Sequence, residues 1–194
     1  MRKFIAMVLR GILHIFCFFR CEGTEKVPKT GGFFLCSNHS SNWDPVVLGS
    51  TNPRNTAYMA KEELFKPFLF GRLIKFLGAY PIKRGGGDIG AIRTAIEIVR
   101  SGDVTVIFPE GRRVKDPKDR GKVKNGIIKL AIQTKCPIVP VGINEKYKLF
   151  GGLKAVYGDP IYYDEYYGKK PTDEELDALA QKLMDKIYSL GGFA

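Results

Sequence analysis

Short apolar runs alternate with longer amphipathic ones along this chain, and that alternation sets the expected architecture. Strand-like runs fall at 33–37, 56–60, 79–83, 104–108, 138–143 and 154–158. Helical patterning falls at 45–50, 63–77, 88–100, 123–134 and 173–190. Strands alternating with helices predict an α/β fold: a single domain with a mostly parallel sheet flanked by helices. Local signals sharpen some ends. Asp88 opens a helix after a glycine run, and Ser101-Gly102-Asp103 closes it. Pro171-Thr172-Asp173-Glu174-Glu175 reads as a helix start, with Thr172 as N-cap and Glu175 placed to complete a capping box. Residues 111–126 are polar, basic and glycine-containing, and read as a mobile loop at a site or a solvated surface loop.

The first 20 residues follow another pattern. Arg10 and His14 interrupt the apolar region and no small-x-small cleavage site follows, which argues against a secretory signal. The run between Arg10 and Arg20 is nine residues. A transmembrane helix needs roughly 20 apolar residues. On a helical wheel Lys3, Arg10 and His14 share one side, while Phe4, Ile5, Val8, Leu9, Ile12, Ile15, Phe16 and Phe19 occupy the rest. This suits a helix lying in a membrane interface with its cations toward anionic headgroups. A first helix packed on the core would read the same way. The expected division is a membrane-associating amphipathic helix over 1–20 and one domain over 21–194.

Length and charge narrow the partners. At 194 residues the chain can bury a core without disulfides. Cys17, Cys21, Cys36 and Cys136 form no Cys-x-x-Cys and no cluster of zinc spacing, so free thiols and no metal are expected. A formal net charge of +11 calls for anionic partners. The cations lie scattered among apolar residues and no nucleic-acid-binding module is present, so phosphate-bearing small molecules and an anionic membrane surface are expected, and no nucleic acid.

The chemistry concentrates in Asn38-His39-Ser40-Ser41-Asn42-Trp43-Asp44, which follows the run 33–37. A histidine at a strand end facing a carboxylate has the parts of a general base and its orienter. Asp44 before Pro45 would equally well cap the next helix, and both roles can coexist. Phe108-Pro109-Glu110-Gly111-Arg112-Arg113 follows another apolar run, and paired arginines at a strand end suit phosphate. Gly78-Ala79-Tyr80-Pro81-Ile82-Lys83-Arg84 ends a third strand with two cations. Gly85-Gly86-Gly87-Asp88-Ile89-Gly90 has the outline of a dinucleotide-binding turn, but Asp88 would set a negative charge where pyrophosphate should sit. No Gly-x-Ser-x-Gly occurs, which argues against a serine hydrolase.

Together these blocks resemble the glycerolipid acyltransferase family, whose pattern has four blocks in fixed order. The stretch 38–44 resembles its His-x4-Asp block, Gly78 through Arg84 the second, Phe108 through Arg113 the third, and Ile138-Val139-Pro140-Val141 the fourth. The likeness covers about residues 33–145, and Met59-Ala60-Lys61-Glu62-Glu63-Leu64-Phe65 is also family-like. Two residues depart from the family: Arg112 stands where threonine is usual, so the family arginine falls on Arg113, and Val114 replaces serine. The resemblance implies transfer of an acyl group from an acyl thioester donor to the free hydroxyl of 1-acyl-glycerol-3-phosphate, giving phosphatidic acid. It implies His39 as general base, Asp44 as its orienter, and no cofactor beyond acyl-CoA or an acyl-carrier-protein thioester as co-substrate. Arg84, Arg113 and Lys61 would hold the phosphate of the lysophospholipid acceptor, with Glu110 and Gly111 shaping that pocket. The enzyme would sit on the cytoplasmic face of the cell membrane without crossing it. The segment 63–77, aromatic-rich with Lys66, Arg72 and Lys75 interspersed, would line an acyl-chain groove, touch lipid or pack on the sheet. Another lysolipid acceptor, or a non-catalytic anionic-lipid-binding protein on the same fold, are the competing readings.

Overall fold

The computed structural model describes residues 2–82 and 88–193. Its elements run α1 (Arg2–Cys17), β1 (Arg20–Glu22), β2 (Phe33–Ser37), α2 (Asp44–Thr51), β3 (Thr56–Lys61), α3 (Phe68–Phe76), β4 (Ala79–Ile82), α4 (Ile89–Arg100), β5 (Val104–Ile107), α5 (Gly126–Thr134), β6 (Ile138–Ile143), β7 (Lys154–Tyr157) and α6 (Asp173–Leu190). The strands form one seven-stranded sheet ordered β1-β7-β6-β2-β5-β3-β4. Among the strand pairs of the described residues only β6 and β7 run antiparallel. The central pairs β2–β5, β2–β6 and β3–β5 are parallel, so the C-terminal ends of these four strands share one edge of the molecule.

The core follows from the two-residue period of a strand. Every residue of β2 is buried, as a strand covered on both faces requires. Phe33 and Leu35 join Val47, Leu48 and Leu13 under α1 and α2. Phe34 and Cys36 join Ala95, Ile128, Leu183 and Ile187 under α4, α5 and α6. Helices thus cover both faces, which is the layering expected of an α/β domain.

Differences from the sequence reading have local causes. The first helix stops at Cys17 rather than residue 20, because Phe18 turns to φ 47 and leaves the helical region. Phe19 is then buried, and β1 pairs with β7, so the expected division at 20/21 falls inside β1. β1 had no apolar signal: it is three residues, two of them charged. The run 63–77 is two pieces, a 3-10 turn over Glu62–Phe65 and α3, separated by Pro67. The helix expected at 123–134 begins only at Gly126. Asp88 accepts from the Ala91 N–H at 3.1 Å and caps α4, while the preceding glycines, Gly85 to Gly87, lie outside the described residues. α6 spans Asp173–Leu190 as expected, with its capping box formed.

Candidate functional site

The site begins where β2 stops. Asn38 is buried and its amide exchanges two hydrogen bonds with Ile143: Nδ2 donates to the carbonyl at 2.9 Å and Oδ1 accepts from the N–H at 2.9 Å. A side chain thereby extends the ladder between β2 and β6 by one step and fixes the exit direction of the chain. His39 follows at the C-terminal edge of the sheet, where open α/β folds bind their ligands.

Four contacts hold His39. Its ring stacks on Phe108 at 4.0 Å with 16° between planes. Its backbone N–H donates to Glu110 Oε2 at 2.9 Å, and its carbonyl accepts from the Val114 N–H at 2.7 Å. Nδ1 lies 2.7 Å from Asp44 Oδ2. Against a carboxylate acceptor the assigned tautomer carries the proton on Nδ1, which leaves Nε2 as a proton acceptor. The histidine side chain is 11% exposed and the aspartate side chain 1%.

Asp44 is held as tightly. Oδ2 also accepts from the Ser40 and Ser41 N–H groups, each at 2.8 Å. Oδ1 accepts from the Tyr147 hydroxyl. Four donors on one buried carboxylate offset the cost of taking its charge out of water. Burial and the Asp44 charge push the Tyr147 phenol far up, so it remains a donor. The capping role weighed for Asp44 is not what its side chain does. Trp43 is the N-cap of α2, no side chain caps the helix, and the carboxylate reaches back to residues 39–41.

Glu110 is buried and both its oxygens are taken. Oε2 accepts from His39, and Oε1 accepts from the Tyr188 hydroxyl of α6. Burial pushes its carboxyl above the ordinary value, opposed by the bonds from Tyr188 and the His39 N–H. Gly111 is exposed at φ +66, a conformation that favours glycine. Beside it lies a cavity of about 850 Å³, lined by Glu110, Arg112, Arg120, Lys122 and Lys124 among others. Several of these cations already have partners: Arg112 and Lys122 both reach Asp119, at 2.9 and 2.5 Å, and Arg120 reaches Glu145 at 2.7 Å.

An imidazole with one nitrogen fixed by a buried carboxylate can take a proton from a hydroxyl through its other nitrogen and return it to a leaving group. A family profile described as Acyltransferase matches residues 18–144. The chain belongs to the acyltransferase family. It is 30% identical to a 1-acyl-sn-glycerol-3-phosphate acyltransferase of Bacillus subtilis, across 98% of this chain and 96% of that one. A Streptococcus pneumoniae protein of the same name is 30% identical, over 87% of this chain and 64% of its own. The crystal structure of the 1-acyl-sn-glycerophosphate acyltransferase from Thermotoga maritima superimposes with a TM-score of 0.72 at 25% identity, covering 97% of this chain and 80% of that one.

The acyltransferase brings some of the sequence-derived site residues together and leaves others apart. His39, Asp44 and Glu110 form one bonded cluster. Gly111 and Arg113 follow at the end of β5, and Arg113 is exposed with no ion-pair partner among the described residues. Lys61 is exposed and ends β3, the next strand beyond β5. Arg84 lies outside the described residues. Val114 is buried and its N–H anchors His39. Tyr147 and Tyr188 carry no sequence signal: they sit 103 and 78 residues from the carboxylates they bond.

Proposed function

We propose that this acyltransferase moves a fatty acyl group from an acyl thioester to the free hydroxyl of 1-acyl-glycerol-3-phosphate, giving phosphatidic acid. The observation that carries the reading is the His39–Asp44 pair at 2.7 Å, in a chain matched over 98% of its length to a relative named for that acceptor. His39 Nε2 takes the proton as the hydroxyl oxygen attacks the thioester carbonyl. Asp44 holds the imidazolium that forms. The tetrahedral intermediate collapses, the C–S bond breaks, and the thiolate receives the proton from Nε2. No acyl-enzyme and no cofactor beyond the thioester is needed.

Arg113, Lys61 and Arg84 act as the acceptor's phosphate partners in this reading, since guanidinium groups suit bidentate binding of phosphate oxygens. Glu110 shapes the pocket from its wall. Both its oxygens are spent on protein donors, so it holds the His39 backbone and not the phosphate.

The protein docks on an anionic membrane at the cytoplasmic face, through α1. Leu13 packs into the core, while Phe4, Val8, Ile12 and Ile15 remain exposed on the outer side. Among the described residues no helix is long and apolar enough to cross a membrane. Burial of an apolar face plus attraction of Lys3, Arg10 and His14 to headgroups is how interfacial helices bind. The test is acyl transfer by purified protein across a panel of lysolipid acceptors, with acyl-CoA and acyl-carrier-protein donors. Preference for 1-acyl-glycerol-3-phosphate is expected. Preference for another lysolipid would overturn the acceptor assignment, and anionic-lipid binding without transfer would overturn the enzyme reading.

A further inference from the structure

α3 is amphipathic, yet it turns its apolar side outward. Gly71 is its only buried residue. A Cβ at Gly71 would lie 2.3 Å from the Phe65 carbonyl oxygen, so only glycine lets the helix sit this close to the 3-10 turn before it. The side opposite Gly71 carries Leu69 and Leu73, exposed to 81% and 48%, and Phe68 is 70% exposed at the start of the helix. Leu69 and Leu73 are four residues apart and form one ridge. Lys66, Arg72 and Lys75 are exposed around it, and Arg72 lies over the Phe68 ring at 5.0 Å.

The position of this helix matters as much as its composition. β3 runs parallel to β5, and β5 to β2. The chain leaving β3 toward α3 therefore emerges on the same edge as His39, which follows β2, and Phe108, which follows β5. Trp43, 53% exposed before α2, stands on that edge too.

We propose that α3 is a second membrane-inserting element, independent of α1. Its Leu69–Leu73 ridge, with Phe68 at the start of the helix, enters the acyl region of an anionic leaflet. Lys66, Arg72 and Lys75 meet the headgroup phosphates beside the mouth of the site. The cations among the apolar residues select this occupant: they complement an anionic surface, and a net charge of +11 draws the whole chain to it. Such an arrangement holds the C-terminal edge of the sheet at the leaflet, where a long-chain acceptor resides. The inference stands on α3 alone and requires neither the α1 contact nor the identity of the acceptor.

The test uses the full chain carrying Phe68→Ser and Leu69→Ser, and separately the triple variant Lys66→Gln, Arg72→Gln, Lys75→Gln. Binding is measured by flotation with phosphatidylcholine vesicles containing about a third phosphatidylglycerol. The apolar double variant should bind at least about tenfold more weakly, because two large side chains no longer reach the acyl region. The charge variant should lose binding to these vesicles and not to pure phosphatidylcholine. Transfer to a short-chain, water-soluble acceptor should be unchanged in both, and the same assay on the unaltered protein reports separately whether the transfer reaction exists. Undiminished vesicle binding in both variants overturns the proposal. If binding is retained while long-chain donors alone are used poorly, the face is an acyl groove and the proposal fails. If binding is retained while a dimer dissociates, the face is a contact between copies and the proposal fails equally.

Discussion

Replacing Tyr147 by phenylalanine removes one oxygen, and that oxygen is the hydrogen-bond donor to Asp44 Oδ1. The three remaining donors to Asp44, from His39, Ser40 and Ser41, all fall on Oδ2. The variant therefore leaves a buried carboxylate oxygen bare. A hydrogen bond to a charged group contributes about 1.5–3 kcal/mol. At about 2–4 °C per kcal/mol for a chain of this size, Tm should fall by about 3–12 °C. Catalysis should suffer as well, because Asp44 is the group that orients His39. We expect kcat to fall about tenfold, equivalent to about 1.4 kcal/mol in the transition state. The acceptor KM should hold, since Tyr147 bonds Asp44 and not the proposed phosphate partners. The assay is steady-state transfer with each substrate varied, run at a temperature where the variant stays folded. A lower Tm with unchanged kcat would refute the positioning argument and leave Tyr147 a purely structural residue.

Glu110→Gln should keep the fold, because an amide can still accept from the His39 N–H and pair with Tyr188. A carboxyl raised in the folded state stabilises fully while protonated, and that contribution is lost as pH rises through the folded value. The melting temperature of Glu110→Gln relative to the parent should therefore climb from acid toward neutral pH; a flat difference contradicts the burial argument. Arg113→Ala should raise the acceptor KM with little effect on the donor KM. Arg112→Thr should be milder, because that guanidinium is already paired with Asp119; equal effects of the two on acceptor KM would undo the distinction. For the α1 contact, Phe4→Ser with Ile15→Ser should weaken vesicle binding while leaving Tm unchanged, since both side chains are more than 60% exposed, at 63% and 64%. Deleting the whole helix would be a poorer probe, because it removes Leu13 from the core.

Legibility in the sequence tracked how local each interaction is. The pairing of His39 with Asp44 spans five residues and is made by one turn, so its spacing announced it. The fully apolar run of β2 and the capping box of α6 were equally local. The alternation of runs was enough for the parallel α/β layering, because each strand needs its own crossover helix. What the chain concealed was long-range. Tyr147 reaches Asp44 from the loop after β6, and Tyr188 reaches Glu110 from the last helix, with no periodicity to betray either. Glu110 read as a pocket residue from its position in the block and does line the cavity, but only the packed structure reveals that both its oxygens bond protein donors. β1 was missed because edge pairing of three residues needs no apolar pattern. The outward-facing apolar side of α3 was ambiguous for a related reason: periodicity identifies a face, but not what covers it.

The most direct measurement is transfer of a labelled acyl group from thioester to 1-acyl-glycerol-3-phosphate by the purified protein and by its His39→Ala variant. General-base catalysis typically contributes roughly 10²–10⁴-fold. The account predicts labelled phosphatidic acid from the parent and a loss of that size in a variant whose melting temperature and circular dichroism stay near those of the parent. Near-parental turnover by folded His39→Ala would contradict it.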